Sequence, residues 1–176
     1  MGLAADNCLV GVCQVEQATF RYQAGGKGVE VQIEQLGQVD SATVETVGRL
    51  LAQLSTSASP LTAEQLQRIV DAEATTVFVA VIDGQTVGML ALATFTIPTG
   101  VRAWIEDVVV DDEVRGRGVG KSLVRAALDH AASLGARTVE LTSRPSRQAA
   151  NTMYERLGFQ LRDTNVYRYE LHDRRT

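Results

Sequence analysis

From Ala18 the chain alternates apolar and polar residues (Phe20, Tyr22, Ala24), pauses at Gly25-Gly26-Lys27-Gly28, and alternates again through Val29, Val31 and Ile33. A period of two is that of a half-buried strand, and the glycines between the runs predict a β-hairpin with a flexible turn. The other reading is a tag-like N-terminus before a single first strand; residues 1–17 show no strong period of their own. The period then changes. Asp40 or Ser41 caps a helix carrying Val44, Val47, Leu50, Leu51 and Leu54, and after the break at Ser55–Pro60, Thr62 and Gln65 form a capping box for a second helix running to Ala74. Thr76–Asp83 and Thr86–Phe95 are β-rich runs around Asp83-Gly84-Gln85, a second hairpin. Ile97–Gly100 reads as a loop and Val101–Asp111 as the next strand.

Beyond residue 111 the helical period returns. Gly120, Leu123, Ala127, Ala131 and Leu134 share one helix face, and Gly135 suits a left-handed terminus. Thr138–Leu141 is a short strand, Arg147–Leu157 a helix stopped by Gly158, and Asn165–Leu171 a closing strand. Hairpins combined with one strand–helix–strand crossover predict an α/β fold: a mixed, mostly antiparallel sheet flanked by helices, not a doubly wound parallel one.

Composition narrows the function without naming it. A chain of 176 residues, 45% hydrophobic and 22% charged, suits a globular domain with a substantial core. A net charge of −4 argues against a dedicated nucleic-acid binder, although most of the Lys and Arg fall from Arg102 onward. No apolar run approaches the roughly 20 residues of a membrane span. The start Met1-Gly2-Leu3-Ala4-Ala5-Asp6 has no basic region of the secretory kind, so a cytoplasmic location without membrane partner is expected. Cys8 and Cys13 fit no zinc spacing, and His130 and His172 lie far from them, so neither a metal nor a thiol mechanism is expected.

The densest chemical signal is the strand Ile105–Val110 running into Arg115-Gly116-Arg117-Gly118-Val119-Gly120 and then a helix. A helix start exposes unpaired N–H groups and partial positive charge, and glycines let a phosphate approach the backbone closely. Arg115 and Arg117 add charge for a second phosphate oxygen. Three phosphate loops compete for this stretch. A P-loop ends Gly-Lys-Ser, as Gly120-Lys121-Ser122 does, but needs glycine where Arg115 stands. A dinucleotide fingerprint needs G-x-G-x-x-G, whereas Gly116, Gly118 and Gly120 give G-x-G-x-G.

The third loop fits. Arg115-x-x-Gly118-x-Gly120 after a strand resembles the pyrophosphate loop of the GNAT superfamily, the acetyl-CoA-dependent N-acetyltransferases. Ala150-Asn151-Thr152-Met153-Tyr154-Glu155-Arg156-Leu157-Gly158-Phe159 resembles that superfamily's second cofactor motif. The resemblance spans residues 29–172, leaving 1–28 as an extension, with or without a hairpin to the first core strand, and 173–176 as a tail. It implies the GNAT fold and acetyl-CoA as co-substrate. Cofactor contacts would come from Arg115, Gly116, Arg117, Gly118, Val119, Gly120 and Lys121, from a bulged strand at Val108, Val109 and Val110, and from Asn151 and Tyr154. Tyr154 is the candidate general acid, since a phenol stays protonated at neutral pH. Glu106 is the candidate base, with Asp107, Glu140 or a water as alternatives. Where many members carry Asn seven residues before the tyrosine, this chain has Arg147. The expected reaction moves an acetyl group from acetyl-CoA to a primary amine, on a small molecule or a peptide, by direct attack in a ternary complex. Two rivals stand beside it: a non-catalytic acyl-CoA-binding sensor or assembly module with the same fold, and an acyltransferase for a longer acyl chain or another acceptor. Edge strands or the N-terminal hairpin offer a route to a homodimer.

Overall fold

The computed structural model describes residues 19–24, 29–55 and 60–171. Cys8, Cys13 and His172 lie outside them. The chain forms two compact units, one up to Thr142 and one from Ser143 onward.

The first unit is built on a six-stranded sheet in the order β1-β2-β3-β4-β5-β6. The strands are β1 (Thr19–Ala24), β2 (Val29–Gln35), β3 (Thr75–Ile82), β4 (Gln85–Ile97), β5 (Gly100–Val110) and β6 (Val139–Glu140). Neighbours pair antiparallel except β5 and β6, which are parallel. The N-terminal hairpin forms, with Phe20 opposite Ile33 and Tyr22 opposite Val31. Asp83 and Gly84 turn β3 into β4, both at positive φ (49° and 75°), the backbone a two-residue hairpin with the sheet's own twist requires. Among the described residues of this unit the α-helices are α1 (Ser41–Leu54), α2 (Ala63–Val70) and α3 (Val119–Ser133).

Local chemistry sets the helix starts. The Asp40 carboxylate accepts the Thr43 N–H at 2.7 Å, and Thr62 and Gln65 close a reciprocal capping box. The second helix stops at Val70, short of the expected Ala74, because the N–H of Asp71 takes the last helical bond and a turn follows.

Strand alternation separates the two faces of the sheet. Phe78, Ala80, Leu90, Leu92 and Ile105 are buried on the face that α3 covers with Leu123, Ala127 and Ala131. Gly88 is required there: a Cβ would sit 2.9 Å from the Val109 carbonyl and 3.3 Å from Leu123. On the other face Val77, Val79, Met89 and Val109 join Val47 and Leu50 of α1 and Leu66 of α2. Leu134, expected on the buried face of α3, is 47% exposed, because the helix ends at Ser133 and residue 134 has already turned away.

The second unit contains α4 (Gln148–Arg156), ended at Gly158 with φ 96°. The expected closing strand, Asn165–Leu171, is not formed. Its residues are irregular and exposed, Tyr167 and Tyr169 by 88% and 86%. Alternation specifies a strand only where a neighbouring strand supplies the ladder, and among the described residues none pairs with this segment.

Candidate active site

The corner after β5 uses up its own hydrogen bonds and leaves the next turn open. The N–H of Asp111 bonds the Val87 carbonyl at 2.8 Å, that of Asp112 bonds Gln53 Oε1 at 3.0 Å, and that of Glu113 bonds Asp111 Oδ1 at 3.2 Å. The Val114 N–H donates to the Asp111 carbonyl and the Arg117 N–H to the Val114 carbonyl. Downstream, the N–H groups of Gly116, Gly118, Val119, Gly120 and Lys121 donate to no backbone carbonyl among the described residues. Gly116 and Gly118 hold φ of 77° and 88°, and Gly118 caps α3 without any side-chain bond. A side chain would strain both positions. Uncapped donors at a helix start, beside exposed Arg115, Arg117 and Lys121, are the arrangement that can receive an anion. Arg115 is already oriented: its Nε donates to the Val110 carbonyl at 3.2 Å and its Nη2 meets Asp112 Oδ1 at 2.5 Å. Arg117 bonds the Glu113 carbonyl at 3.5 Å.

Upstream, β5 carries an irregularity. Met89 pairs with Val109 and Ala91 with Glu106, so Asp107 and Val108 together face Leu90 alone. This is a β-bulge, one residue ahead of the expected Val108–Val110. Asp107 adopts φ 50°, uncommon outside glycine, which marks it as held by its surroundings. Val109 is buried in the core on the α1–α2 face, while Val108 and Val110 are half-buried.

Register places Trp104 and Glu106 opposite Ala93 and Ala91, on the sheet face away from α3. There the Trp104 indole N–H donates to Glu106 Oε1 at 2.8 Å. One carboxylate oxygen is fixed and the exposed side chain still offers the other. Glu140 stands opposite Trp104 on β6. The indole partner of Glu106 is not among the residues expected from the sequence, although residues two apart on a strand share a face, which is its readable signal.

In the second unit, Tyr154 and Asn151 lie one turn apart on α4. Tyr154 packs edge-on to Phe159 at 5.7 Å, and burial pushes its phenol above the ordinary value, partly offset by the positive charge of Arg147. Asn151 Nδ2 donates to the Arg144 carbonyl at 3.1 Å, so its amide braces the start of α4 rather than Tyr154.

This architecture, with its glycine turn after a bulged strand, defines an acyltransferase-type fold. Residues 46–159 match the model of the acetyltransferase (GNAT) family. The chain belongs to that family. It is 32% identical over 147 residues to a glucosamine 6-phosphate N-acetyltransferase of Trypanosoma brucei brucei, covering 78% of this chain and 95% of the relative. It is 35% identical over 86 residues to an uncharacterized N-acetyltransferase of Methanocaldococcus jannaschii, a match covering 47% of this chain and 38% of that protein. Against several curated relatives, then, the matching stretch spans half of the relative's length or less. An aminoglycoside N-acetyltransferase solved in complex with CoA shares the fold, with a TM-score of 0.66 and 19% identity over 82% of this chain and 97% of that one. No helix among the described residues is long and apolar enough to cross a membrane.

Proposed function

We propose that the protein is an N-acetyltransferase that moves an acetyl group from acetyl-CoA to a primary amine of a small molecule by direct attack. The observation that carries this reading is the set of open N–H groups at Gly116 and Gly118–Lys121, placed just after the Asp107–Val108 bulge. Acetyl-CoA supplies the activated thioester. The loop amides, with Arg115 and Arg117, hold the diphosphate, and the bulged backbone at Asp107–Val108 holds the pantetheine arm. Holding two reactants in attack geometry is worth about 7–11 kcal/mol of barrier.

Glu106 takes the proton from the incoming ammonium, which frees the nitrogen lone pair for attack on the thioester carbon. Its indole bond keeps the carboxylate from rotating between substrates. The N–H at Val108 donates to the carbonyl oxygen as negative charge builds there, a contact worth about 3–4 kcal/mol in other acyl transfers. Tyr154 donates its proton to the sulfur as the carbon–sulfur bond breaks; burial, by raising its pKa, keeps that proton available at neutral pH. The relatives' own names, glucosamine 6-phosphate and aminoglycoside acetyltransferases, favour an aminosugar as the first acceptor to try.

A panel of glucosamine 6-phosphate, an aminoglycoside, a polyamine and a peptide, read by release of free thiol, tests the proposal. Turnover with one of them is expected. CoA binding without thiol release from any would favour an acyl-CoA sensor instead. Tyr154→Phe should lower kcat about 10²–10⁴-fold while calorimetry shows CoA still bound; an unchanged kcat removes Tyr154 from the reaction.

A further inference from the structure

The corner between β5 and α3 is gripped from a distant helix. Arg49 Nη1 of α1 donates to Asp111 Oδ2, and its Nη2 donates to the Thr86 carbonyl at 3.3 Å. One turn further along the same helix, Gln53 Oε1 accepts the Asp112 N–H at 3.0 Å. Two side chains four residues apart thus hold two consecutive residues of the corner.

The charge around that corner is unusual for an anion site. Asp111, Asp112 and Glu113 stand immediately before the turn with the open amides. Carboxylates there oppose an incoming anion. Two of the three are neutralised in place: Asp111 by Arg49, and Asp112 by Arg115. Asp111 is 9% exposed, and the Arg49 guanidinium, followed by the Glu113 N–H, holds its carboxyl below the ordinary carboxylate range, so it stays an anion.

We propose that Arg49 and Gln53 are positioning residues for the cofactor: Arg49 cancels the Asp111 charge, and the two together fix the corner so that the amides of Gly116 and Gly118–Lys121 are presented to the diphosphate of CoA. This rests on the reading of that turn as the CoA site. It predicts a pattern of signs that a merely structural brace would not give. If Arg49 acts by cancelling charge, removing it leaves Asp111 to repel the ligand, and removing the Asp111 charge as well restores part of the affinity. A brace lost from one side gains nothing when its other end is also cut.

Calorimetry of CoA binding to the full chain provides the test, with thermal melting of every variant alongside. Arg49→Ala should raise the Kd for CoA about tenfold and Gln53→Ala about threefold. Arg49→Lys, which keeps the charge, should fall between wild type and Arg49→Ala. Asp111→Asn should bind near the wild-type level, and Arg49→Ala combined with Asp111→Asn should bind more tightly than Arg49→Ala alone. Leu50→Ala, a core change at the next residue of α1, should lower Tm at least as much as Arg49→Ala yet leave the Kd unchanged. Wild-type binding with an Arg49→Ala Kd equal to it, or a double variant no tighter than Arg49→Ala, overturns the proposal and leaves the site standing. If Arg49→Ala does not fold, the ordering of Arg49→Lys, Gln53→Ala and Asp111→Asn decides the matter. Failure of the wild type to bind CoA overturns the site reading, and this inference with it.

Discussion

The two faces of the sheet are built on different terms. The α3 face is dry and continuous: Phe78, Leu90 and Leu92 are fully buried against a helix whose inner residues are mostly small, among them Ser122, Ala126, Ala127 and Ala131. Small residues let that helix approach closely, and its first turn is thereby anchored where its free N–H groups matter. The opposite face is closed by α1 and α2 only in part. Its core takes in Met89 and Val109 but leaves Trp104 half-buried and Glu106 exposed, one register step away along β5. One face supplies rigidity and the other supplies access. The bulge at Asp107–Val108 lies between them, and it shifts β5 so that Glu106 and Val109, three apart, share a face.

That contrast can be broken from either side. The largest expected effect is on the dry face. Phe78→Ala removes a fully buried ring beneath α3 and should cost about 3–5 kcal/mol, read as a fall in Tm and in the urea midpoint. A loss under 1 kcal/mol would mean that this face is not the one that stabilises the unit. On the open face the order reverses, with activity lost and stability kept. Glu106→Gln should lower kcat about 10²–10⁴-fold with Tm nearly unchanged. Trp104→Phe, which removes the N–H that fixes the carboxylate together with one ring of the indole, should cost several-fold in kcat and less than Glu106→Gln.

The smallest effect sharpens the comparison through pH. His130 of α3 is half-buried, edge-on to Phe78 at 5.6 Å. Gln35 Nε2 lies 3.4 Å from its Nδ1 and can only donate, which leaves Nε2–H to donate to Thr76 Oγ1 at 3.3 Å. Both bonds suit a neutral ring, and burial lowers its pKa. The folded state therefore binds fewer protons than the unfolded chain as pH falls through about 6.5, and stability falls with it. Melting at pH 5.5 and 7.5 should show a lower Tm at the acid end, with part of that difference absent in His130→Gln. An unaltered slope in the variant would assign the dependence elsewhere.

Much of the fold was legible because its signals are short-range. The Asp83-Gly84 turn, the Thr62–Gln65 capping box, the Asp40 cap and the Gly118 start of α3 each act across four residues or fewer. The glycine turn also carried the family, since its spacing is written in consecutive positions. Asn165–Leu171 shows the opposite case: the alternation is plain, but no strand among the described residues pairs with it.

The sequence alone determined which segments could be helix, turn or strand, and which turn could hold a phosphate, because backbone dihedrals and caps are settled by near neighbours. Tertiary structure decided the rest. The register of β4 against β5 placed the bulge at Asp107, brought Trp104 and Glu106 onto the accessible face, and left Asp111 where Arg49 could reach it across sixty-two residues of chain. Those partners are chosen by how the helices pack on the sheet, and packing depends on every buried side chain at once.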